Sequence, residues 1–409
     1  MVSVDPKGSV VIVRLWGSRS LQRRRLRSAA AVPAKERAIL PQRYLYIIAR
    51  VRLLISEKPN NFDAIRIAMA VLVIWSHSFA LFVGSEASEP VSRLTHGVVN
   101  AGNVAVDVFF VVSGFLITQS LHRSRSWWSF LRKRIARIYP GYLTATSVCA
   151  FVVLPLYAGT HYSFADVAKT FGMNLLLRNW FLAPNPFIHN SGTALNGSLW
   201  SIPLEFWCYI GVLLFGLLRV RRTAVAAAFV CTLGLHVWTV AVDKSWGGGI
   251  LNVIFGWPNF WFRMAPFFMA GMLFHLYRER VPRSGVAVAA GVLAFVVCSW
   301  VKPLAAVALL PAVMAYVVFY VAFSRQLFRG AKYGDFSYGT YLYAFPIQQL
   351  LVALTSVTFP IFVAMSMILS VAAGAVSWFA VERWFHKTRE PVSIVTKEPP
   401  IPTVSGASS

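Results

Sequence analysis

The sequence predicts an all-α fold, a polytopic integral-membrane bundle of about ten transmembrane helices with both termini in the cytoplasm. Three observations carry that reading. Of 409 residues, 57% are hydrophobic and 13% charged, and the mean hydropathy is +0.60, which leaves too little polar surface to cover a water-soluble globule. Ten apolar runs, at 62–84, 99–121, 138–158, 199–218, 223–242, 259–277, 284–301, 304–323, 338–357 and 360–382, approach the roughly 20 residues that cross hydrocarbon as a helix. The basic residues are also lopsided about those runs. Segments 1–61, 122–137, 219–222, 278–283, 324–337 and the tail from Arg383 hold 32 of the 39 Lys and Arg, and Arg66 sits at the same edge. Only Arg93, Lys169, Arg178, Lys244, Arg263 and Lys302 fall on the other side. Such an excess marks the cytoplasmic side. It also explains the formal charge of +24 as membrane topology rather than a nucleic-acid surface.

Residues 1–60 are arginine-rich, with RRRLR at Arg23–Arg27, and are expected to form a disordered cytoplasmic extension. Within it, Tyr44–Ile55 is too short to span and reads either as an interfacial amphipathic helix or as a frayed linker. The membrane domain covers 61–386, and 387–409 is a polar tail. Cys149, Cys208, Cys231 and Cys298 all lie in apolar runs without metal-ligand spacing, so they read as small core residues and no metal is expected.

The first run carries Arg66 and His77, eleven positions apart. On a helix that is about three turns and about 16 Å of rise, so both share one stripe. Arg66 then lies at the inner surface and His77 well inside the apolar layer, where an ionisable side chain is costly and points to function. In the second run, Asp107 needs a cationic partner, from Arg66, His77 or another helix. Ser113-Gly114 permits close helix packing.

The inner segment around RKRIARIYP sets Arg134 and Arg137 at i, i+3 on one helical face. Two guanidinium groups so placed suit either anionic lipid headgroups or a phosphate-bearing donor. On the fourth run Glu205 follows Pro203, at a depth that counting from the surface matches to His77. A carboxylate that orients an imidazole is a recurrent general-base arrangement. Arg263 on the sixth run is a further embedded charge, an anchor for Glu205 or for an anionic substrate, or a side chain snorkelling to the outer headgroups.

Asp335, Ser337, Tyr338 and Tyr341 stand at the start of the ninth run, where they read as helix-capping residues. The long outer loop 159–198 ends in NSGTALNGS and has the composition of a lid. A second loop offers Trp246 and Trp257, as interfacial belt residues or as stacking surfaces for a sugar.

Arg66-x10-His77, FFVVSGFLI, RKRIARIYP, SLWSIPLEFWCY and YGDFSYGTYLYAFPI follow one another in the order seen in the acyltransferase family 3 membrane proteins, which the chain resembles from about residue 60 to 386. The resemblance implies a helical membrane domain of about ten spans in a bacterial cytoplasmic (inner) membrane. It also implies transfer of an acyl group, usually acetyl from acetyl-CoA, to a hydroxyl of a cell-surface or exported carbohydrate or glycolipid. It assigns Arg66 and His77 to the family's signature pair, Arg134 and Arg137 to its inner arginine motif and Glu205 to its outer-half glutamate. His77, oriented by Glu205 or Asp107, is then general base or transient acyl carrier. Arg66, Arg134 and Arg137 bind the donor, and Arg263, Ser113 and Trp200 contact substrate. Acyl-CoA enters as a substrate, with no permanently bound cofactor.

Two features depart from the family pattern. Ala344 stands where many members have histidine, and no appended hydrolase-like domain is expected, which implies a stand-alone transferase or one that serves a separate acyl-accepting protein. The alternative reading is a transporter or flippase for a lipid-linked glycan, since ten spans with buried charges also describe carriers.

Overall fold

The computed structural model describes residues 2–4, 10–12, 60–243, 255–256, 258–325 and 334–386. The chain divides into two units, 1–59 and 60 onward. In the first, Val2–Val4 and Val10–Ile12 pair antiparallel, with Val2 opposite Ile12. The expected interfacial helix at 44–55, the polar tail, and Trp246 and Trp257 lie outside the described residues.

The regular secondary structure of the second unit's described residues is all helical, and each predicted apolar run is a helix. These are α1 (Phe62–Ser78), α2 (Ala101–Arg123), α3 (Trp127–Val148), α4 (Ser201–Leu217), α5 (Arg222–Ala241), α6 (Pro258–Tyr277), α7 (Gly285–Val301), α8 (Pro303–Ala322), α9 (Ser337–Leu354) and α10 (Phe359–Ser377). Six of them, α1, α2, α3, α5, α8 and α10 with their extensions, are long and apolar enough to cross a membrane by length and composition. The other four fall short for physical reasons. At 17 residues, α4 and α7 are brief, whereas α6 carries Asn259, Arg263 and His275, and α9 carries Gln348 and Gln349. Polar side chains of that kind are tolerated where neighbouring helices rather than lipid surround them.

Local sequence sets the helix ends. Asn100, Ser126 and Ser284 cap α2, α3 and α7 by accepting a backbone N–H three residues on. Pro303 opens α8 directly after the last turn of α7, where its missing N–H is no loss. Three helices widen into π-turns at Phe79–Val83, Cys149–Val153 and Trp378–Glu382, a geometry often found beside functional sites.

Helix α2 is the hub, packing on α1, α4, α6 and α8. In its most apolar stretch 67% of the residues are buried, against 6% in α5, which sits at the rim and turns Val230, Trp238 and Val240 outward. The α2–α6 crossing is a close one. A Cβ on Gly114 would stand 2.1 Å from the Phe268 carbonyl oxygen, and one on Gly271 2.1 Å from that of Val111. Only glycine at both positions lets these backbones meet, as the Ser113-Gly114 pair foreshadowed.

Two contacts fix the relative height of α1 and α2: Gly102 abuts Ser76, and the Phe115 ring lies 5.2 Å from that of Phe62. The two helices therefore run antiparallel, with Ser113 level with the Arg66 end of α1. A second pair of contacts fixes α9, since Asp335 reaches Arg66 while Gln348 donates to the Ile74 carbonyl and to Ser78 Oγ. Helix α9 therefore runs alongside α1 in the same direction.

Candidate active site

At the Arg66 end, three helices and the segment before α9 converge on charge. Asp335 Oδ2 lies 2.8 Å from Arg137 Nη2 and 3.3 Å from Arg66 Nη1, so one carboxylate oxygen bridges two guanidinium groups. Asp335 Oδ1 accepts from the Ser337 hydroxyl. The Arg137 guanidinium also stands over Tyr338, 5.3 Å from the ring centroid. Arg134, one turn before Arg137, donates to Ser120 Oγ at 3.3 Å, and its Nε is buried without a partner. Its guanidinium lies 5.8 Å from the Tyr209 ring, and the Tyr209 hydroxyl donates to Glu205 Oε1. The same Glu205 oxygen accepts from Ser113 Oγ at 3.1 Å. Ser113 and Ser120 are two turns apart on α2 and so share a face, one serving the glutamate and the other the arginine. Arg66, Arg134, Arg137 and Glu205 thus form one cluster, and Ser113 belongs to it through Glu205.

Three members of this cluster escaped the sequence. Asp335 reads there as a helix cap, and its pairing with Arg66 spans 269 positions. Tyr209 stands at i+4 from Glu205, a spacing that signals contact once the helix is granted. Glu382 lies in the π-turn after α10 and is buried. Its Oε1 accepts from Ser377 Oγ at 2.8 Å, while its Oε2 has no partner.

His77 is at the other end of α1, one residue before its last, against the π-turn. Its ring meets Phe345 of α9 edge-on, with centroids 5.4 Å apart. The residue is partly accessible, and its Nδ1 is buried with no hydrogen-bond partner. Neither Glu205 nor Asp107 touches it. The matched depth of Glu205 and His77 fails because α4 starts inside the bundle rather than at its surface. Leu195 and Leu199 are buried, Asn179 Nδ2 donates to the Leu199 carbonyl, and Ser201 Oγ pairs with the Tyr341 hydroxyl only one turn into α9. Glu205 is thereby carried to the Arg66 end.

The loop expected to act as a lid is stitched to α9 beside His77. Gln349 Nε2 donates to the Gly192 and Ala194 carbonyls, Asn190 Nδ2 donates to Gln349, and Asn196 Nδ2 donates to the Leu342 carbonyl.

Asp107 finds its cation on another helix. Arg263 Nη2 lies 2.9 and 3.1 Å from its two carboxylate oxygens, and Arg263 Nη1 donates to Asn103 Oδ1 at 2.9 Å. One turn earlier on α6, Phe260 stacks on Trp200 at 4.3 Å. The Asp107–Arg263 pair, with His96 and His236, gives polar groups to a cleft of about 360 Å³ whose walls include Val240, Phe267 and Leu304.

A family profile described as an acyltransferase domain matches residues 60–379. The chain belongs to acyltransferase family 3. Family 3 relatives include an "O-acetyl transferase" of Shigella phage Sf6, 28% identical over 347 residues that cover 82% of this chain and 98% of the relative. "Nodulation protein 10" of Rhizobium leguminosarum bv. viciae is 26% identical over 358 residues, covering 81% and 94%. "Acyltransferase MdmB" of Streptomyces mycarofaciens is 28% identical over 156 residues, 38% of this chain and 39% of that one. No solved structure matches. This family 3 chain is therefore a multi-pass membrane acyltransferase of the O-acetyltransferase type.

Proposed function

We propose that the enzyme spans a bacterial cytoplasmic membrane ten times, with both termini inside. There it moves an acetyl group from cytoplasmic acetyl-CoA to a hydroxyl of an exported or cell-surface carbohydrate or glycolipid. The observation that carries the reading is the convergence of Arg66, Arg134 and Arg137 at one end of α1 with His77 at the other. Guanidinium groups bind phosphate oxygens in forked, charge-assisted hydrogen bonds, and the eleven residues between Arg66 and His77 rise about 16 Å, a span for an extended pantetheine arm.

In this mechanism the coenzyme's phosphates sit on the arginines and the thioester lies near His77. His77 takes the proton of the acceptor hydroxyl as the hydroxyl oxygen attacks the thioester carbonyl. The C–S bond breaks, and the proton passes to the departing thiolate, giving ester and free CoA. Arg263 on α6, and Trp200 before α4 with its ring stacked on Phe260 of α6, contact the acceptor. Glu205 acts at the donor end through Tyr209 and Arg134. The relative named as an O-acetyl transferase supports acetyl as the group moved. The transporter alternative draws no support from the family or the named relatives.

The test uses purified enzyme in vesicles supplied with acetyl-labelled acetyl-CoA and surface glycan. The expected result is label on carbohydrate with stoichiometric release of CoA. Glycan crossing the bilayer without acquiring label would overturn the proposal.

A further inference from the structure

Asp335 occupies a peculiar position in a site built for anions. A single oxygen, Oδ2, is shared by Arg137 at 2.8 Å and Arg66 at 3.3 Å, which is how one phosphate oxygen would sit between two guanidinium groups. The carboxylate is not sealed. Its side chain is 22% exposed, with Arg66 at 24% and Arg137 at 16%, so an incoming anion can reach all three.

Asp335 precedes α9 rather than lying within it, and its Oδ1 accepts from the Ser337 hydroxyl. The neighbouring acids have partners of their own: Glu205 accepts from Ser113 and Tyr209, and one oxygen of Glu382 accepts from Ser377. Glu382 also attracts Arg137 electrostatically, so that guanidinium keeps a negative neighbour when Asp335 leaves. Arg134 adds a third positive charge with its buried Nε unpartnered.

We infer that Asp335 is a resident stand-in for the donor's phosphate. Its carboxylate holds Arg66 and Arg137 together in the free enzyme, and a phosphate oxygen of the coenzyme displaces it on binding. This rests on the donor reading of the arginines and adds a competitor to it. Affinity for the donor is then a difference between two anions bidding for the same guanidinium groups. The carboxylate meanwhile prevents two close positive charges from splaying apart, or from capturing lipid headgroups, while the site waits.

The test is equilibrium binding of labelled CoA to the full chain in phosphatidylcholine nanodiscs. Asp335→Asn keeps the size and the acceptor toward Ser337 but removes the charge. It should tighten CoA binding by about tenfold, the value of one charge-assisted contact no longer contested. If Asp335→Asn does not fold, Ser337→Ala, which only loosens the carboxylate, should tighten binding by about twofold, a fraction of that contact.

Unchanged or weaker CoA binding in a folded Asp335→Asn enzyme overturns the inference. So does a gain that appears only as retention of anionic lipid and not of CoA. Arg137→Gln in the otherwise native chain separates the two levels. If it leaves CoA affinity untouched, the donor reading itself fails. If it weakens CoA while Asp335→Asn brings no gain, only the stand-in role fails.

Discussion

Asp107 and Arg263 are joined across the α2–α6 crossing, with Nη2 at 2.9 and 3.1 Å from the two carboxylate oxygens, and the Asp107 side chain is fully buried. Truncating one partner leaves the other charge stranded, which typically costs about 3–5 kcal/mol, less here because Arg263 keeps some solvent. Arg263→Gln should therefore lower the thermal midpoint in micelles clearly, and Asp107→Asn added to it should restore much of the loss. A double variant no more stable than Arg263→Gln alone would argue against the pair as a structural unit. Comparing stability with transfer rate in the same set then isolates any catalytic share of Asp107.

The glycines beside that pair give a second expectation. At Gly114 an added methyl would meet the Phe268 carbonyl oxygen at 2.1 Å, a backbone atom that cannot swing away. Gly114→Ala should force α2 and α6 apart and destabilise by at least the ~1–3 kcal/mol usual for overpacking. Gly234, within α5, has nothing within 4 Å of its would-be Cβ. There Gly234→Ala should be neutral or stabilising, by up to about 1 kcal/mol from helix propensity alone. Thermal unfolding of the two variants side by side checks both, and equal effects would refute the close-crossing account.

Much of this was legible in the sequence because it is local. Apolar run length gives the helices α1 to α10, and helical spacing puts Arg66 and His77 on α1 and Arg134 beside Arg137. The failures come from partners far apart along the chain. Asp335 reads as a cap because nothing near it announces Arg66, 269 positions away. Glu205 lies away from His77, the neighbour its depth in the sequence suggests, because α4 does not start at the surface. The buried loop residues Leu195 and Leu199, which draw α4 inward, look like any apolar pair in a loop. Arg263 was foreseen as an embedded charge but not as the partner of Asp107, since the choice of cation depends on which helices cross.

Gln348 should matter through His77. It is fully buried, and its Nε2 donates to the Ile74 carbonyl at 2.9 Å and to Ser78 Oγ at 3.0 Å, where α1 passes into its π-turn. Gln348→Leu removes both bonds and leaves the acceptors buried, at about 1–3 kcal/mol. We expect kcat to fall while KM for acetyl-CoA holds, because the arginine cluster lies at the far end of α1. Gln348→Glu, unable to donate in its ionised form, should behave like the leucine variant. A rise in donor KM with unchanged kcat would place the residue elsewhere in the mechanism.

The last expectation separates the two carboxylate assignments that the sequence alone had merged. If Glu205 oriented His77, Glu205→Gln would change the ionisation of the imidazole and move the pH dependence of kcat. Its hydrogen bonds are instead with Ser113 and Tyr209, and Tyr209 carries the guanidinium of Arg134 over its ring. Removing the charge therefore unsettles the donor end. Glu205→Gln should raise KM for acetyl-CoA by roughly ten- to a hundredfold, the range for one hydrogen bond to a charged group. The pH profile of kcat should keep its native shape, because His77, the proposed base, has no contact with Glu205. His77→Ala should do the reverse, abolishing transfer at every pH while CoA still binds. A shifted kcat profile in Glu205→Gln at unaltered donor KM would mean that the two ends of α1 communicate through the carboxylate, and the separation of donor binding from proton transfer would have to be abandoned.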